Sequence, residues 1–172
     1  MKETMNTTAI HEAGHAVAHV RHGLEVTVLS VRPDGEKMTA GHCRGPGVES
    51  VRCAEDAEVQ ILAYLAGYAA LIAYGLDEES ASRGAESDME YVEQLLEDWC
   101  LGGGLNAWKE RAVEFMSRPE NVAAVALLAK ELEHREHMVD ELIEDLISYS
   151  DGEFTEDEWQ RYLLIRQHRG LK

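Results

Sequence analysis

Ala9-Ile10-His11-Glu12-Ala13-Gly14-His15-Ala16-Val17 reads as the front half of a helix that carries chemistry on one face. Thr7 or Thr8 can cap its start and Gly23 can stop it, so the helix is expected over 9–22. His11 and His15 stand four residues apart, which turns both imidazoles to the same side, and the pentapeptide matches H-E-x-x-H. Two histidines so placed can converge on one metal ion, and Glu12, one step round the helix, can reach a water bound to it. Zinc lowers the pKa of such a water towards about 7, while a carboxylate takes its proton and passes it to a leaving amine. Gly14 strengthens the reading. Glycine costs about 1 kcal/mol in a helix interior relative to alanine, so another backbone is expected to pack against it.

A catalytic zinc takes three protein ligands and keeps a fourth position open. The nearby histidines do not supply the third. His19 drifts off the face, and His22 returns to it about 16 Å further along the axis. The extended motif needs a histidine at position 21, which is Arg21. The third ligand therefore comes from elsewhere in the chain.

Working outward, Val26 to Val31 is valine-rich, Arg32-Pro33-Asp34-Gly35 is turn chemistry, and a second extended piece is expected at Met38 to Cys43. Together they read as a β-hairpin over 24–43. A Gly/Pro loop follows at Gly45 to Gly47, and then an apolar helix over 55–75 with an acidic first turn. Val59 to Leu76 is long enough to cross a bilayer, but it is rich in Ala, Gly and Tyr and has no flanking Lys or Arg, so a buried core helix is the reading. Ser87 and Glu90 suggest a capping box for a helix from Asp88 to Cys100, within a segment 84–100. Gly102 to Gly104 break it. The C-terminal part, 107–169, reads as a helix over Ala107 to Met116, one long helix from Ser117 to Ser148, and a last one capped by Thr155 and Glu158. Val125, Leu128, Leu132, Val139, Leu142 and Leu146 mark the buried stripe of the long helix, with Arg135 interrupting it.

At 172 residues, 45% hydrophobic and 28% charged, the chain is sized and composed for one folded domain, 1–172. Sixteen basic residues against 33 acidic ones give a net charge of -17, which argues against nucleic acid or an anionic membrane as partner and leaves polypeptides open. Cys43, Cys53 and Cys100 are odd in number and show no C-x-x-C spacing, so a cytoplasmic setting without disulfides is expected. There is no G-x-x-x-x-G-K-[ST] loop, and thus no intrinsic ATP binding is expected. His134 and His137, three apart on the expected long helix, lack a catalytic glutamate and read as a solvated face. His42 and Cys43 are neighbours on a strand, point to opposite faces, and do not make a pair.

HEAGHAV, a following VLSVRP, then LAGYAALIAYG and SRGAESDMEYVEQLL resemble, in that order, the protease domain of the FtsH-type zinc metalloproteases. The resemblance spans about His11 to Leu96, and the TEDEW ending is similar too. It implies a mainly α (α+β), zincin-like helical domain with a small hairpin next to the active-site helix. It also implies a zinc metalloendopeptidase in which His11, His15 and Asp88 bind Zn2+ and Glu12 activates the water. Asp88 as third ligand is what the resemblance implies; by the residues alone it is an acid favoured in a first helical turn, with Glu86 and Glu90 as fall-backs. The ATPase module and membrane anchor of the family are expected to be missing, which leaves open a homo-oligomer or a separate delivery partner. The edge at Met38 to Cys43 is a candidate for pairing with an extended substrate. The competing reading is a non-catalytic metal-binding or protein-interaction module derived from such a domain.

Overall fold

The computed structural model describes residues 6–33, 41–139 and 141–170. It is mainly helical with one small antiparallel sheet. Helix α1 covers Thr7–Arg21, β1 Val28–Ser30, β2 His42–Arg44, α2 Ala54–Ala73, α3 Glu78–Arg83 and α4 Glu86–Asp98. After them come α5 Gly104–Met116, α6 Pro119–Arg135, β3 His137–Val139, α7 Glu141–Ser150 and α8 Glu156–His168.

Helix α2 is the centre of the molecule. It packs against α1, α4 and α5, and its residues are buried on nearly every side, from Ala57 to Leu71. Its length and composition would suffice to cross a membrane, and here that apolar surface is what the other helices cover. The many alanines let neighbours come close. The closest approach is at Gly14 of α1, where an added Cβ would lie 2.6 Å from the Ala66 carbonyl oxygen and 2.7 Å from the Ala70 Cβ. The interior glycine is the contact that lets the two helices meet, as its helix cost suggested.

The start of α1 is set by Asn6, not by Thr7 or Thr8: its side chain accepts the Thr8 amide at 2.9 Å, and both threonines lie inside the helix. At the other end Gly23, with φ 71°, takes the left-handed conformation that ends the helix.

The sheet has the order β2-β1-β3. Strands β1 and β2 pair antiparallel with Leu29 opposite Cys43, so the expected hairpin pairing is present, with β1 shorter than the sequence suggested. Of the turn and the second strand foreseen there, residues 34–40 lie outside the described residues. The third strand corrects the expectation of one long helix from Ser117 to Ser148. Glu136 adopts φ 60°, its carbonyl accepts the Val31 amide at 3.0 Å, and β3 pairs with β1, Met138 opposite Leu29. The gain that ends the helix here is tertiary. The free edge of β1 is closed and Met138 is buried with Leu29. His134 and His137 are therefore not on one helix; His137 sits in the strand.

A second correction concerns the segment before Asp88. Asp77 caps the unforeseen short helix α3 by accepting the Ser80 amide at 2.9 Å, and the turn at Gly84 and Ala85 leads directly into α4. Ser87 is already helical, so the Ser87–Glu90 capping box does not form. The fully buried Ala85 fixes where α4 begins. The Thr155–Glu158 capping box is present at α8, and Trp159 stacks between Tyr149 and Tyr162 to hold that helix down.

Candidate metal centre

Helix α1 turns His11, Glu12 and His15 towards a cleft of about 1080 Å³, and the first turn of α4 brings Asp88 to the same place. The Nε2 atoms of His11 and His15 are 2.9 Å apart, and Oδ2 of Asp88 lies 3.3 Å from the first and 3.4 Å from the second. Among the described residues this is a three-residue group able to hold a metal ion. A first-row divalent ion bound tetrahedrally at about 2.0–2.2 Å keeps its ligand atoms about 3.3–3.6 Å apart, so two of the three spacings already suit one.

The orientation of the rings suits it as well. Nδ1 of His15 is 2.8 Å from the Ala63 carbonyl, which can only accept, so that nitrogen carries a proton and Nε2 is the atom turned to the cleft, able to ligate once it gives up its own proton. Converging lone pairs from two imidazoles and a carboxylate need a cation or a proton between them. Room for the rings comes from Gly67 of α2: a Cβ there would lie 2.6 Å from His11 Nδ1 and from His15 Nε2. That residue escaped the sequence reading, although a glycine inside an apolar helix carries the same signal as Gly14.

Electrostatics follow from burial and this proximity. Burial on its own lowers the His15 pKa, but the charge and hydrogen bond of Asp88 outweigh it and push it up to about 9. Burial on its own raises the Asp88 carboxyl; the charge of His15 and the hydrogen bonds from both histidines hold it well below the usual carboxylate range. Burial, then the neighbouring His15, lowers His11. Glu12 is buried, and that desolvation pushes its carboxyl up to about 7, against the opposing pull of His15 and a hydrogen bond from the Cys43 amide.

The remaining candidates are apart from the group. His19 donates from Nδ1 to the His15 carbonyl at 2.8 Å and packs on Gly45, and His22 bonds the Ala18 carbonyl at 2.7 Å. Both are occupied with backbone. Glu86 and Glu90 are exposed and outside it; His42 and Cys43, half-buried, are outside it as well. Cys43, Cys53 and Cys100 are free thiols.

No protein-family model matches the chain, and no curated protein matches it either.

Proposed function

We propose that the chain is a zinc-dependent endopeptidase acting on polypeptides, similar to an FtsH-type protease domain. The observation that supports this above others is the meeting of His11, His15 and Asp88 in a cleft that Glu12 also lines. Two imidazole nitrogens and one carboxylate oxygen are a donor set for zinc, with a position left for substrate. Zinc, when bound, would supply Lewis-acid polarisation of a scissile carbonyl and activation of water.

The protein's own groups fit the remaining tasks. Ala63 holds the His15 ring in the ligating tautomer. Glu12, with its carboxyl near neutrality, suits a base that removes a proton from the attacking water and an acid that returns it to the departing amine. The Cys43 amide steadies that carboxylate from β2, an edge strand beside the cleft, along which an extended chain could lie. The free cysteines and acidic surface agree with a cytoplasmic protein whose partners are polypeptides.

The test is zinc content by elemental analysis together with cleavage of an unfolded protein substrate. About one zinc per chain, lost in His15→Ala and Asp88→Ala, with cleavage abolished in Glu12→Gln at unchanged zinc content, is the expected result. Zinc without cleavage would turn the reading to a metal-binding module, and no zinc after reconstitution would remove it altogether.

A further inference from the structure

Gly41, the residue before β2, is buried against the site face of α1. It fits between Thr8 and Glu12, which stand one turn apart on that helix. A Cβ on it would lie 2.8 Å from Thr8 Cγ2, 3.0 Å from Glu12 Cγ and 2.8 Å from the Ser30 carbonyl oxygen of β1. All three distances are inside van der Waals contact. The chain entering β2 therefore lies on α1 at this point because position 41 carries no side chain.

Two residues further along, the Cys43 amide donates to the Glu12 carboxylate. Glu12 is thus held at two points by one strand. Gly41 closes the space beside its Cγ, and Cys43 gives its carboxylate a donor. Helix α1 fixes the Cα and Cβ of Glu12, but a glutamate has further rotatable bonds before its carboxylate. Where that group stands relative to His11, His15 and Asp88 depends on the strand. The position matters for a proton-transfer group, since a displacement of about 1 Å can cost on the order of 100-fold in rate.

We propose that Gly41 is a positioning residue for Glu12: its missing side chain seats the entry to β2 on α1, so that the strand holds the Glu12 carboxylate beside the metal-binding group. The consequence for catalysis rests on the peptidase reading, whereas the seat itself does not.

The experiment compares the full chain with Gly41→Ala, Glu12→Ala and the double variant. Thermal unfolding of the metal-free proteins reads the contact. Gly41→Ala is expected to lower the midpoint by roughly 3–10 °C in the parent, through overpacking. In the Glu12→Ala background, where the side chain it would meet is gone, the loss should be about two-thirds of that or less. Chelator competition then gives zinc affinity, and a labelled unfolded protein gives kcat and KM. Gly41→Ala should keep zinc affinity and KM within about twofold of the parent while kcat falls about 10- to 100-fold. Should Gly41→Ala fail to fold, the same comparisons are made in a Thr8→Ser background, which removes the methyl 2.8 Å from the added Cβ and leaves Glu12 in place.

Equal midpoint losses with and without the Glu12 side chain would overturn the seat. An unchanged kcat in Gly41→Ala, or a loss of kcat matched by a loss of zinc affinity, would overturn the positioning role. Coupled midpoints with no cleavage by the parent protein would support the seat while removing the peptidase reading.

Discussion

Gly67 faces His11 across a gap that admits a hydrogen atom and nothing larger: a Cβ at this position would lie 2.5 Å from His11 Cε1. The atoms that would have to yield belong to imidazole rings, which can rotate, and not to backbone. Gly67→Ala should therefore leave the fold intact, helped by the roughly 1 kcal/mol that alanine gains in a helix, while it turns His11 and His15 out of register. Zinc affinity is expected to fall about 10- to 100-fold, the range seen when groups that orient ligands are lost. Competition with a zinc chelator, beside thermal unfolding of the metal-free protein, measures both. Unchanged affinity would show that the two rings do not act as ligands in the arrangement described.

The coupling of His15 to Asp88 predicts a pH dependence for metal uptake. With its pKa raised to about 9, His15 is protonated at neutral pH in the metal-free protein, and a ligating imidazole must give that proton up. Zinc uptake at pH 7 should release at least one proton per ion, and apparent affinity should climb between pH 6 and 8. Asp88→Asn removes the charge that holds the proton, so the variant should release fewer protons although it binds zinc more weakly. Calorimetry in two buffers of different ionisation enthalpy gives the count. Uptake with no proton release would contradict the coupling.

Much of the site was legible because its determinants are local. The i, i+4 spacing of His11 and His15 fixes their shared face; that Asp88, rather than Glu86 or Glu90, comes to meet them was implied by the resemblance and not by the residues alone. What could not be read depends on distant partners. Arg135 interrupts the apolar stripe here but does not by itself call for a strand; the free edge of β1, more than a hundred residues earlier, creates it. The Ser87–Glu90 pattern was a false start because Ala85, buried by tertiary packing, sets the boundary two residues sooner. Gly67 lay between the two cases. Its sequence signal was present, but its meaning needed the position of α1 over α2.

Gly14 makes the opposite prediction to Gly67, since its neighbours include backbone. A methyl group there meets the Ala66 carbonyl oxygen, which cannot move without displacing α2 from α1. Overpacking of this kind costs about 1–3 kcal/mol, against the roughly 1 kcal/mol that alanine returns in helix propensity. Gly14→Ala should lose up to about 2 kcal/mol net, or up to roughly 8 °C in thermal midpoint for a chain of this size. A more stable variant would mean that the helices have slack at this crossing.

Arg21 ties the end of α1 to the C-terminal half of the chain. Its guanidinium donates to both carboxylate oxygens of Asp151, at 2.5 and 2.7 Å, and through Nε to Asn121 Oδ1 at 3.0 Å. The side chains of the pair are 23% and 21% exposed, so solvent weakens but does not erase the attraction. The hydrogen bond from Arg21, and then its charge, lowers the Asp151 pKa. A carboxylate whose folded-state pKa is depressed adds stability that is fully present above its unfolded value, about 3.9, and is lost as pH falls through the lower folded value. Asp151→Asn should thus cost about 1–2 kcal/mol at pH 7, the scale of a charge-assisted, partly buried bidentate pair. Denaturant titrations at pH 7, 5 and 3.5 should show the gap to the parent protein constant over the first two and narrowing at the third. A gap that stays the same at pH 3.5 would assign the loss to packing around Asn121 and not to the ion pair.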